Sequence, residues 1–420
     1  MSNGFESDMR EATRLTVAGR LSEATTWLQR MLQGKAAQSG TNQAAGPEGT
    51  TIDGLAEQTE MSNAFPLPRV VPPLSTGAFR SPSRSAEGRP QSLIADRLRS
   101  FLDQARRGEF HLPGGSTGPA PSEAPAPLPA GAQFVAGTFS NQAGSRPYKL
   151  YVPSAYQGQA VPLIVMLHGC TQSADDFAAG TRMNAVAEEH TCLVVYPEQT
   201  TSANASKCWN WFKVDDQHRD QGEPSLIAGI TRQVMRQYCV DPQRVYVAGL
   251  SAGGAAAAIM ATTYPDLYAA VGVHSGLASG AASDLRSAFA AMRQGAHGTL
   301  HRRDGSTGFE SPSIVPAIVF HGDQDTTVHP INGNQIITYS VAATGTPLER
   351  KEQHSQVPGG HSYNRTLYNY MGERTVFEHW TIHGAGHAWS GGSAAGSYTD
   401  PQGPDATREM IRFFLDHPKG

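Results

Sequence analysis

Five short stretches of this chain are apolar almost throughout rather than alternating: PLIVML (162–167), TCLVVY (191–196), RVYVAG (244–249), AAVGVH (269–274) and PAIVFH (316–321). A strand with one face in water alternates apolar and polar residues, so runs without alternation are strands buried on both faces. Segments with helical periodicity separate them, near 180–189, 223–239, 252–263, 282–294, 333–343 and 404–416. Strands covered on both sides by intervening helices make a parallel sheet in an α/β layer architecture. Adding 134–139, 147–152 and 375–383 predicts one α/β domain over residues 133–420, with a mostly parallel eight-stranded sheet.

One junction carries chemistry. In YVAGLSAGGAAAAI (246–259), a strand-like run ends at Gly249 and an alanine-rich helix follows Gly253. No lysine follows the glycines as a phosphate loop requires, and their positions (249, 253, 254) do not fit G-x-G-x-x-G. What fits is G-x-S-x-G at 249–253, the pattern of a nucleophile elbow, in which a serine sits on a strained strand-to-helix turn. Glycines two positions either side leave space where a side chain would collide. The bland alternative for Ser251 is a helix N-cap.

A serine hydroxyl needs a base, and the base an orienting acid. On the α/β-hydrolase fold these follow in the order serine, acid, histidine. HGDQD (321–325) follows a late strand and offers Asp325 as the acid, with Asp323 read as a turn-forming acceptor. TIHGAGHAWSGG (381–392) offers His387 as the base in a glycine-rich loop, with His383 read as structural. The oxyanion needs two N–H donors, Ala252 after the nucleophile and Cys170 in the His168-Gly169-Cys170 corner.

The N-terminal third has a different texture. Residues 1–34 read as a helical hairpin. Residues 35–132 read as a mostly disordered Pro/Gly/Ser-rich linker with a short amphipathic helix near 92–107. The hairpin is a candidate docking element for a granule or a protein. The whole chain is 39% hydrophobic, below the usual 45–50% or so of a fully globular chain, consistent with such a diluting segment. A net charge of -4 argues against nucleic acid as a partner. No run is long and apolar enough for a transmembrane helix, and no signal-peptide pattern is read. The expectation is a cytoplasmic protein, with an extracellular location as the alternative. Cys170, Cys192, Cys208 and Cys239 lack metal or CxxC spacing. They read as four thiols, with a Cys208–Cys239 bridge as an option in an oxidising compartment. No cofactor and no metal is expected.

LHGCTQSADDFAAGTRMNAVAEEH, VVYPEQ, CWNWF, DPQRVYVAGLSAGGAAA, HGDQDTTVHPINGNQ and GAGHAWSGG follow one another in an order that resembles the polyhydroxybutyrate (PHB) depolymerase family of esterases, over about 133–420. The resemblance implies an α/β-hydrolase fold and serine esterase chemistry without a cofactor. Matched by position, nucleophile, acid and base fall on Ser251, Asp325 and His387, and the oxyanion loop on Gly169-Cys170. The tryptophan segment 208–211 falls on a wall of the acyl or polymer cleft. Trp209 and Trp389 are the candidate substrate-binding residues. Secreted family members carry a signal peptide and a C-terminal adsorbing domain, and neither is read here. Amorphous polyester, oligomers or small esters are therefore the expected substrates. The alternatives are a feruloyl or acetyl-xylan type of esterase, a serine peptidase on the same fold, and a non-enzymatic binding module.

Overall fold

The computed structural model describes residues 127–296, 314–370 and 374–419. The hairpin read at 1–34, the short helix near 92–107 and nearly all of the linker lie outside them. The described residues build a ten-stranded sheet in the order β1-β2-β4-β3-β5-β6-β7-β10-β9-β8. Its centre is parallel: β4 (Leu193–Pro197), β3 (Val161–Leu167), β5 (Val240–Leu250), β6 (Ala270–His274), β7 (Ala317–Gly322) and β10 (Thr375–Ile382). On one side β2 (Gly144–Val152) joins β4 antiparallel and pairs with β1 (Gln133–Asn141). On the other, β9 (Ser362–Asn369) and β8 (Glu349–Gln356) extend β10 as an antiparallel meander.

Eight of these strands coincide with the eight read from the sequence; β8 and β9 correct the count to ten. β8 reads ERKEQHSQ and is exposed at every position, so it has no apolar face to betray it. Its charges also guard a sheet edge against pairing with another chain.

The uniform runs are explained by the packing. In β3, Leu163, Val165 and Leu167 enter one core and Ile164 and Met166 the other. The first core lies under α3 (Gly222–Gln237), α4 (Ala252–Thr263), α5 (Leu285–Gln294) and α6 (Ile331–Ala343). The second lies under α1 (Ala174–Thr181), α2 (Met183–His190) and α7 (Ala406–Leu415), whose Met410, Phe413 and Phe414 reach Tyr246 and Ala248. Both faces of the central strands are dry, so neither face can be polar. The parallel arrangement also puts the carboxyl ends of β3, β5, β6, β7 and β10 on one edge, where ligands of open α/β sheets bind.

Candidate active site

Ser251 stands between β5 and α4 at φ 57° and ψ −119°. A non-glycine residue there carries about 1–3 kcal/mol of backbone strain, a cost that persists only where surroundings enforce it. Its side chain does not cap α4, so the N-cap alternative fails. The flanking glycines are required by close approach. A Cβ on Gly253 would collide with the Leu167 and His168 carbonyls, and one on Gly249 would lie 2.7 Å from the Leu167 oxygen and collide with Gly253 itself. β3 and the elbow therefore touch backbone to backbone. Ser251 N–H donates to the His274 carbonyl at the end of β6, at 2.9 Å, and the Ser251 carbonyl accepts Ala255 N–H at 2.9 Å to open α4.

Asp325 and His387 come together after the ends of β7 and β10. His387 Nδ1 lies 2.7 Å from Asp325 Oδ2. The carboxylate is fully buried and oriented on all sides. Oδ1 accepts the Thr327 and Val328 N–H groups at 2.9 and 2.8 Å, and His321 Nε2 stands 3.4 Å from Oδ2. Burial alone would raise its pKa. The facing His387 and the hydrogen bonds from His321 and His387 overcome this and hold it well below the ordinary carboxylate range. An ionised Asp325 takes the Nδ1–H of His387 and so leaves Nε2 open. The loop reaches Asp325 because Gly322 ends β7: a Cβ there would strike the Ala385 carbonyl.

The second carboxylate pairs elsewhere. Asp323 accepts from His383 Nδ1 at 2.9 Å and from Gly384 N–H at 2.8 Å. Two aspartates and two histidines thus sort into separate pairs.

His274 ties the serine to the histidine loop. Its carbonyl takes Ser251 N–H, and its Nε2 accepts Ser390 N–H at 3.0 Å, three residues past His387. Burial above all, with the His321 and His387 imidazoles nearby, lowers its pKa to about 3, so it is neutral and able to accept. The sequence reading missed His274, although a histidine closing a buried strand beside the elbow was a visible signal.

The Gly169-Cys170 corner faces the elbow: a Cβ on Gly169 would lie 3.7 Å from Ser251 Cβ. Among the described residues neither Cys170 N–H nor Ala252 N–H donates to a protein acceptor. Ala252 is the first residue of α4, whose N-terminal N–H groups are unpaired within the helix and favour negative charge.

Two sequence expectations are corrected. Trp209 and Trp389 are 0% and 1% exposed and line no open surface. Trp209 Nε1–H donates to the His168 carbonyl at 3.0 Å; Trp389 Nε1–H donates to Thr407 Oγ1 at 3.0 Å while its ring stacks on His274. With the N–H satisfied internally, burying the large indole is favourable. The cysteines also differ from the reading: Cys170 is bridged to Cys208, while Cys192 and Cys239 are free. Cys239 precedes β5, and its carbonyl accepts Val161 N–H at the start of β3. Cys208 lies beside Cys170 beyond the other end of β3, a strand about 20 Å long, out of reach of Cys239.

The strand order and the strained elbow define the fold as α/β-hydrolase. The solved acetyl xylan esterase from Aspergillus awamori shares it, with a TM-score of 0.52, 20% identity and coverage of 68% of this chain and 99% of that one. A family model described as "Esterase PHB depolymerase" matches residues 146–346. Poly(3-hydroxyalkanoate) depolymerase C of Paucimonas lemoignei is 35% identical over 256 residues, 59% of this chain and 60% of that protein. Feruloyl esterase B of Neurospora crassa is 31% identical over 216 residues, 48% of this chain and 71% of that protein. A probable acetylxylan esterase A of Aspergillus clavatus is 30% identical over 193 residues, 44% of this chain and 61% of that protein. The chain spans about three fifths of the length of the depolymerase and acetylxylan esterase relatives. The chain belongs to the PHB depolymerase family of esterases.

Proposed function

We propose that this protein is a serine carboxylic-ester hydrolase. The observation that carries the reading is the buried, ionised Asp325 hydrogen-bonded to His387 at the same sheet edge as the strained Ser251 elbow. His387 Nε2 takes the Ser251 proton as Oγ attacks the ester carbonyl. The Ala252 and Cys170 N–H groups receive the developing oxyanion. The imidazolium, stabilised by Asp325, protonates the leaving alkoxide. Neutral His387 then deprotonates the water that releases the acid from Ser251. Ser251→Ala tests this directly: hydrolysis of p-nitrophenyl acetate falls to background, and retained turnover refutes the assignment.

For substrate we propose a polyhydroxyalkanoate, its oligomers or small esters, because the depolymerase relative shares 35% identity. A feruloyl or acetyl-xylan substrate is the second reading, favoured by relatives carrying those names. A panel of 3-hydroxybutyrate oligomers, methyl ferulate and acetylated xylan separates the two. Residues 1–34 are proposed as a docking element, tested by whether their deletion changes location while sparing turnover. The Cys170–Cys208 bridge favours the extracellular alternative for location, since disulfides persist in oxidising compartments. Fractionation of the native host decides it.

A further inference from the structure

The Gly169–Cys170 peptide is gripped from its carbonyl side. His168 is buried, and its Nδ1 lies 2.7 Å from the Gly169 oxygen. Its Nε2 lies 3.0 Å from the Gln199 backbone nitrogen. A carbonyl can only accept and an amide N–H can only donate, so the ring is the neutral Nδ1–H tautomer. Burial keeps it so by lowering its pKa to about 4. The other donor to the Gly169 oxygen is long, Gln172 N–H at 3.4 Å. In a trans peptide the C=O and the following N–H point in opposite directions. Holding the Gly169 carbonyl therefore fixes where the Cys170 N–H points.

The far side of the imidazole is also fixed. Gln199 Nε2 donates to the Cys208 carbonyl at 3.0 Å and to the buried Glu223, which accepts the Asn210 N–H and Nδ2 at 2.7 Å each. Trp209 holds the His168 carbonyl, and Cys208 is bonded to Cys170. The 199–210 segment thus meets the oxyanion corner at three points, and His168 is the one that acts on the peptide plane itself.

We infer that His168 is a positioning residue that aims the Cys170 N–H at the Ser251 tetrahedral intermediate through the Gly169 carbonyl. The inference rests on the proposed esterase reading. The test uses the full chain with p-nitrophenyl acetate as substrate and phenylboronic acid as a tetrahedral mimic. His168→Leu removes both ring contacts. His168→Gln places its amide near Nε2, and His168→Asn places its Nδ2 near Nδ1. The Leu and Gln variants should lose about 10²–10³ in kcat, the scale of one lost oxyanion donor. KM should stay within about threefold, as for an interaction made only in the transition state. Boronate affinity should fall in step with kcat, while His168→Asn keeps kcat within about tenfold. Unchanged kcat in His168→Leu, equal losses in Asn and Gln, or failure of both amide variants to fold by circular dichroism overturns the inference. Ser251→Ala separates the two readings. If it stays active, the esterase reading falls; if it is dead while His168→Leu is active, only this inference falls.

Discussion

Ser251 and Ser390 donate their backbone N–H groups to the same residue, His274, one to its carbonyl at 2.9 Å and the other to its Nε2 at 3.0 Å. The elbow and the loop that carries His387 are thereby referenced to one rigid point. His274 is itself clamped between Phe320 and Trp389 by stacking at 5.8 and 5.2 Å.

Replacing His274 with leucine should therefore act on both stability and turnover. The buried Ser390 N–H loses its acceptor, which costs on the order of 1–3 kcal/mol. Urea unfolding reads that loss. The 387–390 segment also loses the anchor that ties it to the elbow, so kcat for a short ester should fall more than about tenfold with a smaller change in KM. Unchanged kcat would show that the loop is held without it.

The elbow glycines make a second prediction. Gly253→Ala adds a methyl group where the Leu167 and His168 carbonyls already stand, and neither belongs to a flexible side chain. The backbone of β3 or α4 must shift, with an expected loss of about 3 kcal/mol or more, toward the severe end of point substitutions. Ala257→Gly, in the middle of the same helix, serves as the comparison and should cost roughly 1 kcal/mol from propensity, plus the loss of a buried methyl. Thermal unfolding of both variants checks the ordering.

Much of this architecture is legible in the amino-acid sequence. The central strands announced themselves because both of their faces are dry, and the elbow because its glycines are spaced by a backbone collision. The Asp325–His387 pair was legible because the two loops follow the ends of β7 and β10. What stayed hidden has a common cause. β8 (ERKEQHSQ) is stabilised by pairing alone, with no buried face to leave a pattern. The indoles of Trp209 and Trp389 look like cleft walls in sequence, yet each finds an internal acceptor that lets it bury. The Cys170–Cys208 pairing depends on which loops meet over one end of the sheet, which spacing does not encode.

That pairing has a measurable consequence. The bridge spans 38 residues. In the chain-entropy account such a closed loop contributes about 3–4 kcal/mol. Dithiothreitol, or a Cys170→Ala/Cys208→Ala double variant, should lower stability by an amount of that order. It should also reduce kcat, because one bridged residue supplies the proposed oxyanion N–H. Cys239→Ala is the control that should change neither, since its thiol is free and remote. Calorimetry with ester turnover, with and without reductant, reads both effects.

The buried histidines set the acid response of the fold. Burial lowers His168 to about 4, His274 to about 3 and His379 to about 4. In the unfolded chain the same side chains titrate near 6.5. As pH falls below that value the unfolded state takes up protons that the native state refuses, so stability drops. The histidines' share of the drop begins near 6.5 and levels off once the pH has passed below their native values of about 4 and 3. Each such group contributes a slope of up to about 1.4 kcal/mol per pH unit in that window. His379 is the instructive one to remove, because among the described residues its Nε2 has no hydrogen-bond partner and it lies outside the proposed catalytic machinery. His379→Leu should flatten the dependence between pH 6 and pH 5 by up to about that one-proton slope. Urea midpoints converted with a common m-value test this, and an unaltered slope would place the acid sensitivity elsewhere.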